Sequence, residues 1–273
     1  MTSDRWRVLY TPAACGAWNM ALDEAILEAI GRGEARPTLR LYAWEPPCLS
    51  LGIAQPWADV DLARLRQHGW EVVRRITGGR ALLHTDELTY AVIGPAEHPI
   101  LAGGVLESYH RLAQALLRAV SILGIPVEAK QGLAPDEQTH QNPICFETPS
   151  TYEITVHGKK LIGSAQARRR KGVLQHGSLP LTGDLTRITQ ALTFPDERAR
   201  REAAARLLER ATTVESALGR PISWETAAHA MVQAFEAELG IRFERGEPSP
   251  FELARAEELV RAKYDHLSWT ERV

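Results

Sequence analysis

Three cysteines are the residues of this sequence with the clearest capacity for covalent chemistry. Cys15, Cys48 and Cys145 are widely spaced and form no CxxC pair or metal-ligand pattern with histidines, so we expect neither disulfides nor a metal site. Cys48 lies in an apolar strand pattern and Cys15 beside a helix start, whereas Cys145 ends a polar loop immediately before a strand. Because loops held by a rigid sheet usually display reactive groups, Cys145 is the best candidate nucleophile.

Two adjacent lysines lie on a predicted hairpin that follows Cys145. The dipeptide His157-Gly158 has the length of a two-residue turn, in a register that pairs Lys160 with Thr155. Side chains alternate along a strand, so only one of the two lysines can face a given site. One face is expected to carry Lys160, Ile162, Ser164 and Gln166, and the other Lys159, Leu161, Gly163 and Ala165. In the alternative interpretation, both lysines lie at a solvated sheet edge.

A loop with two glycines is the third candidate for chemistry. It reads Arg74-Arg-Ile-Thr-Gly-Gly-Arg80, lies between two predicted strands, and is followed by His84. Gly78 and Gly79 have no side chains to shield the backbone, so a ligand can approach closely and contact exposed N–H groups. The same pattern is also compatible with an ordinary turn and a structural histidine.

Several helices and strands must position these candidates. Apolar residues at helical spacing predict helices over 17–30 and about 106–123, each ended by a glycine. The last third is predicted to be mainly helical, with a helix over 197–210 and another from Ser223 to Leu239. A helical carboxyl-terminal portion packed on an α/β domain is therefore expected. Strand patterns, besides the hairpin, cover 39–44, 48–52, 71–75, 89–93 and 173–181.

Composition and charge limit the classes of function. The 273 residues are 44% hydrophobic and 24% charged, with a formal net charge of −2, which is ordinary for a globular protein. The charge gives no global attraction to nucleic acid or to an anionic membrane, so we expect neither as a partner. No apolar run approaches a signal peptide or the ~20 residues of a membrane span, so a cytoplasmic protein is expected.

The candidate segments together resemble the biotin/lipoate protein ligase and octanoyltransferase superfamily, over most of the chain up to about Leu181. The similarity is most specific to the LipM type of octanoyltransferase. It rests on the glycine loop with its continuation Ala81-Leu-Leu-His and Glu87-Leu-Thr-Tyr, on Cys145-Phe-Glu-Thr-Pro-Ser-Thr-Tyr-Glu, on Gly158-Lys-Lys-Leu-Ile-Gly-Ser-Ala-Gln, and on Leu174-Gln-His-Gly-Ser.

The resemblance implies a fold, which is α/β of the α+β type. A mixed, largely antiparallel sheet flanked by helices is expected, as in the biotin/lipoate ligases. The catalytic domain would span residues 1–245, with its core at about 36–245, and a helical extension would span 246–273.

The resemblance also implies a reaction. An octanoyl group would move from octanoyl-acyl carrier protein, through a thioester on Cys145, to a lysine of the glycine-cleavage H protein or another lipoyl domain. Lys160 matches the lysine that the family carries on this strand, and neither ATP nor a metal is expected as a cofactor. We assign substrate binding to Arg75, Gly78, Gly79, His84, Gly163, Ser164 and Ala165.

Elementary thiol chemistry agrees with this implied reaction. A thiol with a pKa of about 8.5 is only slightly ionised at neutral pH, and a nearby ammonium such as that of Lys160 favours the thiolate. The thiolate can exchange with the donor thioester and keep the acyl group on the enzyme. An acceptor amine then forms an amide, which is more stable than a thioester and draws the reaction forward.

Three alternatives remain open. An ATP-dependent lipoate–protein ligase has the same fold, but ligases tend to carry a third glycine where this sequence has Arg80, which favours the transferase. Amidotransfer between lipoyl domains shares the cysteine chemistry. A non-catalytic protein that binds lipoyl domains or acyl carrier protein would need no thiol.

A basic run offers a candidate docking surface for the donor. Arg168-Arg-Arg-Lys171 lies in the turn after the lysine strand, and acyl carrier proteins are strongly acidic around their prosthetic arm. Complementary charges of this kind raise the rate of encounter. A solvated turn without such a role is the alternative.

Overall fold

The structure is a computed structural model that describes residues 4–126, 128–131, 144, 152–169 and 171–273, with the backbone alone at 128–131 and 152–153. Its strands are β1 (Asp4–Tyr10), β2 (Thr38–Tyr42), β3 (Cys48–Leu51), β4 (Glu71–Arg74), β5 (Leu82–His84), β6 (Glu87–Pro95), β7 (Glu128–Gln131), β8 (Tyr152–Val156), β9 (Lys159–Arg169), β10 (Gly172–Pro180) and β11 (Ile241–Gly246).

The helices account for most of the remaining regular structure. None in the described part of the chain combines the length and the hydropathy needed to cross a membrane. They are α1 (Gly16–Gly31), α2 (Leu62–His68), α3 (Val105–Ile122), α4 (Glu197–Arg210), α5 (Val214–Leu218), α6 (Trp224–Leu239), α7 (Pro250–Leu259) and α8 (Leu267–Thr270), with 3₁₀ turns at Trp57–Asp59 and Leu185–Gln190 and a π turn at Val260–Tyr264.

Eight strands form one mixed sheet in the order β11-β1-β2-β6-β10-β9-β8-β7. β1 lies parallel to β2 and β11, and the other neighbours in the sheet are antiparallel. The expected mixed, largely antiparallel sheet is therefore confirmed. The predicted hairpin is confirmed as well, since β8 and β9 flank His157-Gly158 and Thr155 pairs with Lys160.

Helices cover both faces of this large sheet. On one face α3 and α6 pack against Tyr90 and Val92, and on the other α1 packs against Ala91 and Ile93. β6 is consequently buried along its whole length except for its last residue. Continuous burial of this kind is typical of a central strand with cover on both sides.

A smaller sheet holds the glycine loop. β3 is its central strand, with β4 parallel and β5 antiparallel, and the loop joins β4 to β5. Gly52, directly after β3, lies against this loop so closely that a Cβ atom there would stand 1.9 Å from the carbonyl oxygen of Gly79. Only glycine at position 52 therefore lets the loop pack on β3.

The carboxyl-terminal third departs from the expected pattern. A strand, β11, pairs with β1 at the edge of the sheet, with Asp4 opposite Ile241. Neither strand was expected from the sequence. β11 pairs with β1, more than 200 residues away in the chain, and β1 lies between β11 and β2. The expected mainly helical end is confirmed, and α4 and α6 have the predicted bounds, but β11 adds a strand that was not expected.

The last helices dock on α1 through carboxylates. Arg255 donates to Glu28 at 2.8 Å, and Lys263 and Tyr264 both donate to Glu24 at 2.5 Å. Glu24 and Glu28 would face solvent on an isolated amphipathic helix, but both are buried here. The predicted boundary between a domain at 1–245 and an extension at 246–273 remains a prediction.

A buried ion pair between β1 and the start of α7 gives a test of how α7 is held on the domain. Arg7 on β1 forms a bidentate pair with Glu252, whose side chain is fully buried, at 2.9 and 2.6 Å. Glu252→Gln should lower the free energy of unfolding by about 3 kcal/mol, because it leaves a largely buried guanidinium without a charged partner. Urea denaturation measures the change.

A matched control is Glu258→Gln, which removes a partner of Arg255 at a side chain that is 58% exposed. That change should cost less than about 1 kcal/mol. Equal effects of the two substitutions would show that the Arg7–Glu252 pair does not secure α7.

Candidate active site

A cleft lies where the small sheet meets the large one. Ser50 and His84 line it from the small sheet, and the segments 163–165 of β9 and 176–178 of β10 line it from the large sheet. Its apolar walls come mainly from Met20, Tyr42, Trp44 and Leu82. Five of the residues predicted to bind substrate therefore lie together at this cleft: Arg75, His84, Gly163, Ser164 and Ala165.

Arg75 holds the glycine loop in place. Its guanidinium donates to the carbonyl oxygen of Ser50 at 2.9 Å, to its Oγ at 3.1 Å, and to the carbonyl oxygens of Gly78 and Arg80 at 2.8 Å each. Gly79 lies against this guanidinium with a positive φ of 86°, a conformation that favours glycine. The Arg75 guanidinium thus holds the backbone of Gly78 and Gly79 in place. These two glycines are not among the residues that line the cleft.

His84 belongs to a buried polar network. Its Nε2 lies 2.8 Å from Ser50 Oγ, its Nδ1 lies 2.6 Å from Glu87 Oε1, and its ring stacks on Trp44 at 3.9 Å. Burial acts to raise the pKa of Glu87, but its electrostatic interaction with the His84 ring and hydrogen bonds from His84 and Thr89 outweigh it, so the pKa lies below 4.5. Both ring nitrogens of His84 therefore have protein partners.

A second histidine, His176, lines the cleft from β10. Its Nε2 lies 2.7 Å from Thr77 Oγ1 and its Nδ1 lies 3.3 Å from Asp23 Oδ2. Burial lowers the pKa of His176 below 6.5, although Asp23 acts in the opposite direction. Asp23 is also paired with the fully buried Arg40 at 2.7 Å, and it accepts from the hydroxyl of Tyr42 at 3.0 Å. Burial alone would raise the pKa of Asp23, but Arg40 and His176 lower it below 3.8.

Sequence reasoning did not assign roles to Ser50, Glu87, His176 or Asp23. A signal existed for Glu87, which lies three residues after His84 with only a turn between β5 and β6. His176 was also visible as a polar residue in an apolar strand. For Asp23 no local signal existed, because its partners Arg40 and His176 lie on other elements.

A β-bulge changes the face on which Lys160 lies. Thr155 pairs with Lys160, but Ile154 pairs with Ile162, so Leu161 is an extra residue in β9. Opposed residues share a face, and Ile154 and Ile162 both lie in the core under α3 and α6. Lys160, opposite Thr155, therefore lies on the other face.

This is the face of Gly163 and Ala165, which pair with Ser178 and His176 at the cleft. The expectation that Lys160 shares a face with Ile162, Ser164 and Gln166 was wrong, because strict alternation assumes a ladder without a bulge. Ser164 instead points its hydroxyl to Tyr90, 2.7 Å away in the opposite core.

The two lysines have different surroundings, as the sequence predicted. Lys160 is 5% exposed and its carbonyl oxygen accepts from the amide of Thr212, next to the end of α4. Lys159 extends along the surface and donates to the carbonyl oxygen of Leu208 at 2.6 Å. A role for Lys160 in catalysis stays a prediction.

The cysteines are only partly described. Cys145 lies outside the described residues, as do 146–151. Its neighbour Ile144 forms a bridge with Ala81, directly after the glycine loop, and lines a second cleft that shares the lining residue Leu82 with the first. Cys48 is fully buried, and this burial, with a further contribution from Glu71, raises the pKa of its thiol well above 9.0. Cys15 is partly exposed and precedes α1.

Arg168, the first residue of the basic run, makes hydrogen bonds within the protein and is therefore less available to a carrier protein than the sequence indicates. Arg168 donates to the carbonyl oxygens of Leu101 and Gly104 and to Ser108 Oγ, at 2.7, 3.2 and 2.9 Å. It therefore ties the β9–β10 end of the sheet to the start of α3. Arg170 lies outside the described residues.

Comparison with solved structures defines the class of protein. The bi-partite lipoate protein ligase of Thermoplasma acidophilum, studied with its E2 lipoyl domain, superposes with a TM-score of 0.81 at 25% identity, over 98% of this chain and 96% of the other. Lipoate-protein ligase A bound with ATP superposes with a TM-score of 0.80 at 24% identity, over 98% of both chains. The fold is that of a lipoate–protein ligase.

Sequence comparison is more specific. The model of the lipoyl protein ligase A/B catalytic domain matches residues 16–236. The octanoyltransferase LipM of Moorella thermoacetica is 41% identical over 273 residues, 100% of both chains, and that of Kyrpidia tusciae is 41% identical over 98% of both. The chain belongs to the lipoyl protein ligase A/B catalytic-domain family, and within it to the LipM-type octanoyltransferases; it is an acyltransferase.

The lowered pKa of His176 predicts how stability depends on pH. Because the folded pKa lies below the unfolded value near 6.5, the unfolded chain binds more protons between the two values. The contribution to stability is complete above pH 6.5 and is lost as pH falls through the folded pKa. The urea midpoint should therefore fall between about pH 7.5 and about pH 5.5, and His176→Gln should make this fall shallower.

The exposed His68 supplies a control of the same chemical change. His68→Gln should keep the pH dependence of the wild type. If His176→Gln and the wild type lose stability in parallel, the acid sensitivity comes from another group.

Proposed function

We propose that this chain is a protein octanoyltransferase that takes octanoyl from octanoyl-acyl carrier protein, holds it as a thioester on Cys145, and passes it to a lysine of a lipoyl domain. Similarity to octanoyltransferases over the full length of the chain carries this proposal. The glycine-cleavage H protein is the first acceptor to test. The Thermoplasma ligase with its E2 lipoyl domain supports a lipoyl domain as the acceptor class.

The choice of Cys145 is supported by what surrounds the other thiols. The raised pKa of Cys48 keeps it protonated and it has no access to the cleft, so it is a poor nucleophile. The bridge between Ile144 and Ala81 fixes the chain next to Cys145 beside the glycine loop. Ile144 and Leu82 line the second cleft, and Leu82 also lines the first, so we propose that the acyl chain runs past Leu82 toward the apolar walls around Trp44.

Lys160 is proposed to stabilise the thiolate. The bulge at Leu161 turns it to the cleft face of β9, where its low exposure would strengthen an interaction with a negative charge. The thiolate attacks the donor thioester, the carrier thiolate leaves, and the acceptor amine then displaces the enzyme thiolate. Every step exchanges one acyl bond for another, so we propose that ATP and metal are not required.

The small residues of β9 fit the acyl chain. Gly163 and Ala165 leave space at the cleft wall, and Met20, Tyr42 and Trp44 supply apolar contacts. A cleft with apolar walls and few polar groups is typical of a site for a small ligand. The alternative, an ATP-dependent ligase, is favoured only by the shared fold.

The first test is formation of the acyl-enzyme without ATP. Incubation with octanoyl-acyl carrier protein should add the mass of one octanoyl group to the wild type, and Cys145→Ala should abolish this adduct. Addition of H protein should then move the mass from the enzyme to the H protein. Intact-mass spectrometry follows both proteins.

Cys15→Ala is the matched control and should keep the adduct. An adduct on Cys145→Ala, or its loss in Cys15→Ala, would contradict the assignment of the nucleophile. A requirement for ATP would favour the ligase instead.

The second test compares the two lysines. Lys160→Ala should slow formation of the acyl-enzyme by about 100-fold or more, the range of a lost acid–base or charge contribution, whereas Lys159→Ala should stay within a few-fold of the wild type. The pH dependence of Cys145 alkylation should shift upward in Lys160→Ala alone. Equal losses in both variants would remove the role proposed for Lys160.

A further inference from the structure

Ser50, His84 and Glu87 form a continuous chain of hydrogen bonds at the wall of the cleft. Ser50 Oγ lies 2.8 Å from His84 Nε2, and His84 Nδ1 lies 2.6 Å from Glu87 Oε1. All three side chains are buried, and Ser50 and His84 line the cleft. The order hydroxyl, imidazole, carboxylate is that of groups that move a proton through a histidine.

Arg75 sets which group donates and which accepts in this series of hydrogen bonds. A guanidinium has only donors, so Ser50 Oγ accepts from Arg75 Nη1 at 3.1 Å. The hydroxyl proton of Ser50 is then available to His84, whose Nε2 accepts it. The imidazole proton therefore lies on Nδ1 and is donated to Glu87.

At the Glu87 end of this series, Trp44 sets the direction of the hydrogen bonds. Its indole N–H can only donate, and it donates to Thr89 Oγ1 at 2.8 Å, so Thr89 uses its own proton toward Glu87. Glu87 thus accepts from both His84 and Thr89, the arrangement of an ionised carboxylate. Since Trp44 also stacks on His84, the imidazole has a fixed orientation.

We propose that Ser50, His84 and Glu87 relay the proton that the acceptor lysine loses when its amine attacks the acyl thioester. This inference rests on the proposed function. Ser50 would contact the amine as a catalytic residue. One lone pair of its hydroxyl oxygen accepts from Arg75, and the second lone pair would accept from the amine. His84 and Glu87 act through Ser50 as positioning residues.

Attack of the amine exchanges one bond at the carbonyl carbon for another and releases one proton. The amine nitrogen forms a bond to the carbonyl carbon and the C–S bond breaks, with its electron pair kept by the enzyme thiolate. The amine proton passes to Ser50 Oγ while the hydroxyl proton passes to His84 Nε2. The resulting imidazolium is paired with the Glu87 carboxylate, and its proton later passes to solvent.

The second histidine network does not offer the same route. In Thr77, His176 and Asp23 the hydroxyl belongs to a residue that is fully buried and does not line the cleft. A proton at Thr77 therefore has no described path to a substrate. Ser50 combines a histidine partner with a place at the cleft wall.

The test separates the two half-reactions. Octanoyl-N-acetylcysteamine, a small thioester, loads the enzyme, and after its removal a lipoyl domain with one acceptor lysine is added. Ser50→Ala should form the octanoyl-enzyme but pass the group to the lipoyl domain about 100-fold more slowly, the range of a lost proton transfer. Ser50→Thr, which keeps the hydroxyl, should recover most of the rate.

Glu87→Gln supplies a second variant in case Ser50→Ala does not fold. An amide N–H toward Nδ1 would place the imidazole proton on Nε2, so transfer should again be slow while loading persists. Ser108→Ala is the matched control, because it removes another buried hydroxyl, bonded to Arg168 and away from the cleft, and should transfer like the wild type.

Three results would overturn the inference. They are transfer at the wild-type rate in both Ser50→Ala and Glu87→Gln, equal slowing of loading and transfer, and a Ser50→Thr variant as slow as Ser50→Ala. A wild-type enzyme that never acquires octanoyl would instead contradict the proposed function.

Discussion

The buried guanidinium of Arg75 is the interaction on which the geometry of the site depends. It is 5% exposed, and removal of its charge from water is costly unless every donor finds an acceptor. The acceptors come from β3 and from the loop between β4 and β5, so the charge is satisfied only when the loop folds back on the strand. The same requirement directs the proton of the Ser50 hydroxyl.

Two carboxylates extend this arrangement across the cleft. Glu87 and Asp23 are both buried, and each is paired with a histidine that lines the cleft, His84 and His176. Buried ion pairs resist displacement, because any movement leaves an unpaired charge in a medium of low dielectric constant. The two histidines are therefore held in place at the cleft wall by their carboxylate partners.

Features that depend on short-range interactions could be predicted from the sequence. Ser223 caps α6 through its own side chain, and Gly240 ends the helix in the left-handed conformation. His157 and Gly158 both have positive φ, as a two-residue turn between twisted strands requires, so the pairing of Lys160 with Thr155 followed from the turn. The assignment of substrate binding to the residues from Arg75 to Ala165 came instead from the resemblance to a known family.

Tertiary structure decided the features that depend on distant partners. The bulge at Leu161 reversed the face of Lys160, because the register of β9 against β8 also has to satisfy the core under α3 and α6. β11 became a strand only through β1, and Asp23 became a buried ionised group only through Arg40 and His176 on other elements. The sequence by itself thus determined where thiol, lysine and histidine side chains lie along the helices and strands. Their faces and hydrogen-bond partners were decided by packing, since these follow from long-range contacts that no local pattern encodes.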